Sequence, residues 1–136
     1  MTVQENDATR NAQLDTIEST AGASCSMRIY TGAQPANCAA ANSGTVLADF
    51  NLPADWMGAA ATGTKAKAGT WQDTSADAPG TPGHFRIYNS QATKDGTTAF
   101  MQGSCAVGSG DINFDGTITA GQQVTINTFT LTAGNP

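Results

Sequence analysis

The sequence predicts a mainly β protein: an antiparallel β-sandwich or jelly-roll-like domain with one short N-terminal helix. Three observations support this fold class. The 136 residues include 15 glycines and only 12% charged residues, a composition that suits short strands joined by many turns better than a helix bundle. Turn-forming residues recur about every ten positions and separate roughly seven to nine short apolar stretches. One short strand also occurs twice in the chain.

The repeated strand has the core Arg-Ile-Tyr, within 27–30 and again within 85–88. Alternate side chains of a strand face opposite ways. The apolar residues of each copy would therefore point into a core, and the arginine and tyrosine would point away from it. A second apolar stretch follows each copy, at 44–50 and at 96–101. We expect two similar hairpins that carry outward-facing pairs: Arg28 with Tyr30, and Arg86 with Tyr88.

An N-terminal helix is predicted by its caps and its apolar spacing. Asn6 or Asp7 can cap its start, and Gly22 is a natural C-terminal stop. Three apolar residues recur between them at helical spacing: Leu14, Ile17 and Ala21. This stripe is thin, so the helix must pack on its own domain or on a neighbouring subunit. Leu14 and Ile17 are therefore candidate interface residues.

Residues 1–22 are predicted to form an N-terminal arm and helix, and residues 23–136 a single β-sandwich domain. Besides the repeated strands and their partners, we expect short strands at 70–72, 111–114 and 122–132, and an exposed loop at 73–83. The apolar parity changes between residues 126 and 129. A bulge or a change of buried face is expected at that point.

Charge and hydropathy argue against several classes of function. The net charge is −5, with six Lys and Arg, whereas a nucleic-acid binder normally presents a basic face. No stretch is long and apolar enough to cross a membrane. The N-terminus is polar and acidic, unlike a secretory signal, which predicts synthesis in a cytoplasm. Three irregularly spaced cysteines fit free, buried or half-buried thiols better than disulfides.

No catalytic constellation is evident. His84 is the only histidine, and no Gly-x-Ser-x-Gly elbow accompanies it, so we interpret it as a loop-edge residue without a catalytic role. Four potential zinc ligands are present, but they lack the close pairing of structural zinc sites: Cys25, Cys38, His84 and Cys105. We expect neither an enzyme nor a cofactor.

A weak calcium motif begins at Asp111. Asp111, Asn113 and Asp115 supply oxygens at positions one, three and five, followed by Gly116. Position twelve is Gln122, which cannot provide a bidentate carboxylate, and the flanks resemble strands. The alternative is a hairpin that turns at Asp115 and Gly116.

Aromatic and arginine residues are the remaining candidates for contact. Trp56, Trp71, Tyr30 and Tyr88 could form a sugar-stacking platform, although isolated aromatics are more often core residues. The Arg/Tyr pairs either contact a partner or shield one face of the sheet, since Arg and Tyr are enriched at interface hot spots.

Several stretches of the chain are informative together: 10–12 with 14–15, 27–30, 69–77, 83–88, 121–126 and 129–132. In these stretches the chain resembles a family of small β-rich virion structural proteins of tailed bacteriophages. The resemblance implies a non-enzymatic particle component, located in the virion, whose partners are other virion proteins. The leading hypothesis is a capsid decoration or cement protein that binds the major capsid protein and forms a homo-oligomer. The alternative is a tail, neck or fibre component, possibly a host-glycan binding module.

Overall fold

The structure, a computed structural model, describes residues 3–134 and confirms a mainly β protein with one N-terminal helix. Helix α1 spans Asp7–Ala21. Nine strands follow within the described range: β1 (Ser26–Tyr30), β2 (Val46–Asn51), β3 (Thr64–Ala66), β4 (Trp71–Asp73), β5 (His84–Tyr88), β6 (Ala99–Val107), β7 (Ile112–Phe114), β8 (Val124–Ile126) and β9 (Thr130–Thr132).

The two predicted hairpins are present and form the centre of one sheet. The strand order is β2-β1-β5-β6-β7. β1 pairs antiparallel with β2, and β5 pairs antiparallel with β6. The two Arg-Ile-Tyr strands are themselves antiparallel neighbours, with Arg28 directly opposite Arg86. The four strands are therefore related by an approximate two-fold operation centred on this arginine pair.

β7 departs from the predicted hairpin. It pairs parallel with β6, so that Cys105 lies opposite Ile112, although only residues 108–111 separate the two strands. Parallel neighbours normally need a much longer crossover. Here Gly108 and Gly110 take positive φ angles of 79° and 90°, which glycine adopts readily, and the chain doubles back before it enters β7.

The predicted strand at 122–132 is wrong as a single element. It is broken into β8 and β9, which pair with β4 and β3 respectively. The expected change of buried face is confirmed: Val124 and Ile126 are buried, and Phe129 is buried with the opposite parity. The change of parity therefore marks a change of partner strand.

The central sheet curls toward the β4–β8 pair. The Asp49 amide on β2 donates to Asp73 Oδ2 on β4 at 2.9 Å, and the Asp77 amide donates to the Leu47 carbonyl at 2.9 Å. The 73–83 segment, predicted to be an exposed loop, is thus pinned to β2 in part, and Ala76 is buried. β7 and β8 remain the terminal strands of their sheets.

The apolar face of the repeated strands lies in the core as predicted. Met27, Ile29, Phe85 and Ile87 are all buried. They pack with an aromatic cluster in which Trp71 contacts both Trp56 and Phe129, with ring centroids 6.1 and 5.3 Å apart. The predicted core face is confirmed.

Helix α1 packs on its own chain, with the predicted caps. Asn6 Oδ1 accepts a hydrogen bond from the Thr9 amide at 2.9 Å, and Gly22 ends the helix with φ 83°. Arg10 donates to the carbonyl of Ala133 at 2.8 Å from Nη2 and at 3.1 Å from Nε. The first element of the fold is thereby tied to the residue that follows the last strand.

A buried lysine fixes the middle of the helix. Lys65 is 2% exposed, and its Nζ lies 2.6 Å from Asp15 and 3.0 Å from Glu18. It also donates to the carbonyl of Gly58 at 2.7 Å. The hydrogen bond from Lys65 lowers the pKa of Asp15. α1 is thus held largely by polar contacts, which explains its thin apolar stripe. Within 3–134, no helix is long and apolar enough to span a bilayer.

Candidate functional site

The Arg/Tyr face of the sheet is covered, so the predicted outward-facing pairs are mostly wrong. The four side chains do share one face, opposite the core. Tyr30, Arg86 and Tyr88 are nevertheless 1%, 0% and 0% exposed, and only Arg28 is partly exposed. The segment 31–45 between β1 and β2 folds back over this face. These residues therefore shield the sheet within one chain, which was the alternative interpretation of the pattern.

Arg86 holds the covering segment in place. Its Nη1 donates to the carbonyl of Ala40 at 3.0 Å and to Asn42 Oδ1 at 2.7 Å, and its Nη2 donates to the carbonyl of Cys38. Three oxygens of one loop thus surround a single buried guanidinium. Planar Arg, with several donors in fixed directions, suits this arrangement better than Lys.

The two tyrosines meet above the arginine pair. Their hydroxyl oxygens are 2.6 Å apart, and the Tyr88 hydroxyl donates to Asn42 Oδ1 at 2.9 Å. Burial, followed by the hydrogen bond with Tyr30, raises the pKa of Tyr88. His84 stacks on Tyr30 with ring centroids 5.0 Å apart. The cluster is closed to solvent and presents no acid–base group at the surface.

Arg28 belongs to a more accessible charged group at the edge of this face. Its Nε donates to Asp49 Oδ2 at 2.8 Å, and Lys94 donates to the other oxygen of the same carboxylate. Burial and the neighbouring carboxylates of Asp73 and Asp49 raise the pKa of Asp77. Two cations and three carboxylates thus lie near one another around β2, and Asp49 pairs with both cations.

The helix candidates separate into one core residue and one surface residue. Leu14 is 4% exposed and is unavailable to a partner. Ile17 is half-buried and borders an apolar depression of about 360 Å³ between α1 and β6, the α1–β6 groove. Its lining comprises Thr16, Ile17, Thr20, Ala21, Asn89, Phe100 and Met101. Phe100 and Met101 were not singled out from the sequence, because adjacent strand residues have opposite parity and strand alternation does not predict that both line one groove.

The three calcium candidates do not converge on one site. Asp111 Oδ2 accepts hydrogen bonds from the amide and the hydroxyl of Ser104, at 2.8 and 2.9 Å. Asn113 and Asp115 instead border a different depression, beside residues 125–128. Among residues 3–134, no three His, Cys, Asp or Glu side chains are grouped so that they could hold a metal ion.

His84 is a buried strand residue, which corrects its assignment to a loop edge. It is 0% exposed, and its Nδ1 lies 2.9 Å from the carbonyl of Gly32. Burial lowers its pKa.

The zinc candidates are dispersed. The prediction of free, buried or half-buried thiols is confirmed, and burial raises the pKa of Cys25 to about 11 and that of Cys105 to about 12.

The sugar-stacking platform is wrong. Trp56, Trp71, Tyr30 and Tyr88 are each at most 1% exposed. The indole N–H of Trp56 donates to the carbonyl of Gly22 at 3.2 Å, and that of Trp71 donates to the carbonyl of Ala68 at 3.1 Å. These aromatics stabilise the interior, as isolated strand aromatics commonly do.

Comparison with known proteins gives no further assignment. No protein-family model matches the sequence, and neither a curated protein nor a solved structure is significantly similar to the chain.

Proposed function

We propose that the protein is a non-enzymatic structural component of a tailed-phage virion, in its simplest form a capsid decoration or cement protein. It binds the major capsid protein, acts as a homo-oligomer and contacts neither nucleic acid nor membrane. We also propose that the curled sheet closes into a sandwich or jelly roll. The sequence resemblance supports the assignment, and the α1–β6 groove is the observation that carries it.

The α1–β6 groove has the composition of a protein-binding surface. Ile17, Phe100 and Met101 are each partly exposed around it, and aromatic residues and Met are enriched at protein interfaces. One wall belongs to the central sheet. The other is α1, which is fixed by Lys65 and Arg10. Such a pre-organised surface loses little conformational entropy when it binds a partner.

Particle composition tests the proposal. We expect purified particles of the phage that encodes the chain to contain hundreds of copies of it by quantitative mass spectrometry, in keeping with the symmetry of a shell. A handful of copies would refute the decoration role and favour a tail, neck or fibre component. No observation now favours glycan binding, because Trp56 and Trp71 are buried.

A matched pair of helix variants tests the groove itself. Ile17→Asp places a charge in the α1–β6 groove, whereas Ala12→Asp places the same charge on an exposed part of α1 outside the lining. We expect Ile17→Asp to reduce binding to particles that lack the protein by about ten-fold or more, because burying an unpaired charge is strongly unfavourable. Equal binding by the two variants would exclude the groove as the contact surface.

A further inference from the structure

Two strand edges face each other across a second groove, here the β7–β8 groove. β7 is the last strand of the central sheet, and β8 is the last strand of the β4–β8 pair. Between them lies a depression of about 260 Å³, lined by residues 112–115 on one side and 125–128 on the other. Since consecutive residues form each wall, the walls are strand edges and not isolated side chains.

The hydrogen bonds of the flanking strands indicate which main-chain groups face this groove. The carbonyl of Phe114 accepts from the Gly108 amide at 3.1 Å, on the β6 side. Main-chain groups of successive strand residues point to opposite sides, so the N–H and C=O of Asn113 point into the groove. No turn or loop hydrogen bond among residues 3–134 engages the main chain of Asn113.

The same reasoning applies to β8. The carbonyl of Gln122 accepts from the Ala76 amide at 2.8 Å, on the β4 side. Residues 124 and 126 share that parity, so the main-chain groups of Thr125 face the groove. In the described part of the chain, no turn or loop hydrogen bond engages them either. The two edges are thus open toward each other, and unpaired strand edges act as templates for an additional strand.

We propose that the β7–β8 groove binds an extended, basic peptide segment of another protein, which adds as a strand between β7 and β8. Strand addition of this kind derives its affinity from main-chain hydrogen bonds. The lining is rich in Asn and Thr and contains one charged residue, Asp115. No Lys or Arg is among these lining residues, so the local charge of the groove is that of Asp115, which attracts a cationic segment.

A second copy of the same chain fits this groove less well. The chain carries a net charge of −5, and antiparallel pairing of two β7 strands about Asn113 would place Asp115 of each copy opposite Asp111 of the other. Like charges opposite each other in a sheet are destabilising. The inference stands on the strand edges and their charge, and it does not depend on the virion role.

The test uses the full chain, labelled with ¹⁵N, and the synthetic peptide Lys-Val-Lys-Val-Lys. We expect the amide resonances of Asn113 and Thr125 to shift on titration. A peptide N-methylated at alternate amides loses the donors toward one edge, so its affinity should fall by about ten-fold or more. Asp115→Asn should weaken binding about two- to five-fold, an effect that high salt also produces.

Two variants of Thr125 distinguish the contribution of its main-chain N–H to peptide affinity from that of its side chain. Thr125→Pro removes the N–H that faces the groove while leaving the bonds to β4, because proline is tolerated on an edge strand whose N–H faces outward. We expect it to reduce affinity by about five-fold or more, whereas Thr125→Val should bind as the parent does. If circular dichroism shows that Thr125→Pro is unfolded, the N-methylated peptide and Asp115→Asn decide the question.

Three results would overturn the proposal. The first is the absence of any shift at millimolar peptide. The second is equal binding of the plain and N-methylated peptides, which would exclude main-chain pairing. The third is a concentration-dependent shift of Asn113 and Thr125 without peptide, which would identify a second copy of the chain as the occupant.

Discussion

Replacing Arg86 should destabilise the fold far more than replacing Arg28, although the two residues are direct neighbours in the sheet. Arg86 is fully buried, and its guanidinium donates three hydrogen bonds to segment 31–45. Arg28 is 28% exposed and is paired with Asp49. Methionine at either position keeps much of the apolar length and removes every donor. The two methionine variants are therefore matched controls for each other.

The contacts set the expected magnitudes. A hydrogen bond to a charged group contributes about 1.5–3 kcal/mol, so three could contribute about 4.5–9 kcal/mol if they were additive. Arg86 has no ion-pair partner among residues 3–134, and Met relieves the desolvation of its charge. The loop oxygens also regain water if the loop lifts. We expect a net loss of about 3–4 kcal/mol for Arg86→Met and about 0.5–1 kcal/mol for Arg28→Met.

Urea unfolding at neutral pH, followed by circular dichroism, measures the loss of unfolding free energy in both variants, and thermal unfolding gives their melting temperatures. The melting temperature should fall by about 10–15 °C for Arg86→Met and by about 2–5 °C for Arg28→Met. Amide hydrogen exchange should accelerate selectively in segment 31–45 of the Arg86 variant, because the loop loses its anchor before the sheet opens.

Equal losses for the two variants would refute the reasoning, since they would show that the three loop contacts add nothing beyond an exposed ion pair. If Arg86→Met does not fold, Arg86→Lys supplies the comparison. Lysine keeps the charge but cannot reach three divergent oxygens, so it should still destabilise the chain more than Arg28→Met.

Three further outcomes follow from the burial of His84 and of two cysteines and from the hydrogen bonds of Asp111. His84 has a pKa below its usual 6.5 in the folded chain, so the unfolded chain binds the imidazole proton more tightly. The His84 contribution to the free energy of unfolding should be full above pH 6.5 and should fall below that pH, by at most about 1.4 kcal/mol per pH unit. In urea titrations, His84→Gln should flatten this slope. A thiol reagent at pH 8 should label Cys38 rapidly in the native chain, and it should reach Cys25 and Cys105 only in denaturant; three rapid thiols in the native chain would contradict their burial. Thermal melts in millimolar calcium and in chelator should coincide within about 1 °C, because Asp111 is turned toward Ser104. A clear stabilisation by calcium would show that the loop at 111–116 does bind the ion.

Local patterning was sufficient to predict the helix and the two hairpins. The caps of α1 and the alternation around Arg-Ile-Tyr are properties of a few adjacent residues, and each determines a geometry directly. The core face followed from the same alternation. Pairing of the two repeated strands with each other was not predicted, because that contact joins residues 58 positions apart, such as Arg28 and Arg86.

The alternation of side chains along the strands could not predict that the Arg/Tyr face of the sheet is covered. Parity states that Arg86 and Tyr88 face away from the core, but it does not state whether water, a partner or a loop lies on that side. The covering depends on contacts with Cys38, Ala40 and Asn42, which are more than 40 positions away. A polar loop of ordinary composition gives no sign that it will cover a guanidinium.

Both candidate binding surfaces arise from tertiary arrangement. The α1–β6 groove joins Ile17 to Met101, and the β7–β8 groove joins two strands that have other partners. At β7, a hairpin turning at Asp115 and Gly116 was expected, and the chain does bend there. The parallel pairing of β7 with β6, which needs the chain to double back at Gly108 and Gly110, was not predicted.

The bond between Arg10 and Ala133 has a kinetic consequence. These partners are 123 positions apart, so α1 cannot complete its contacts until residue 133 has been synthesised. Fast folding favours contacts between near neighbours in the sequence, and this hydrogen bond joins distant residues. We expect the hairpins to form first and α1 to dock last. Until then, the surface beneath the helix is open to chaperones, proteases and other nascent copies.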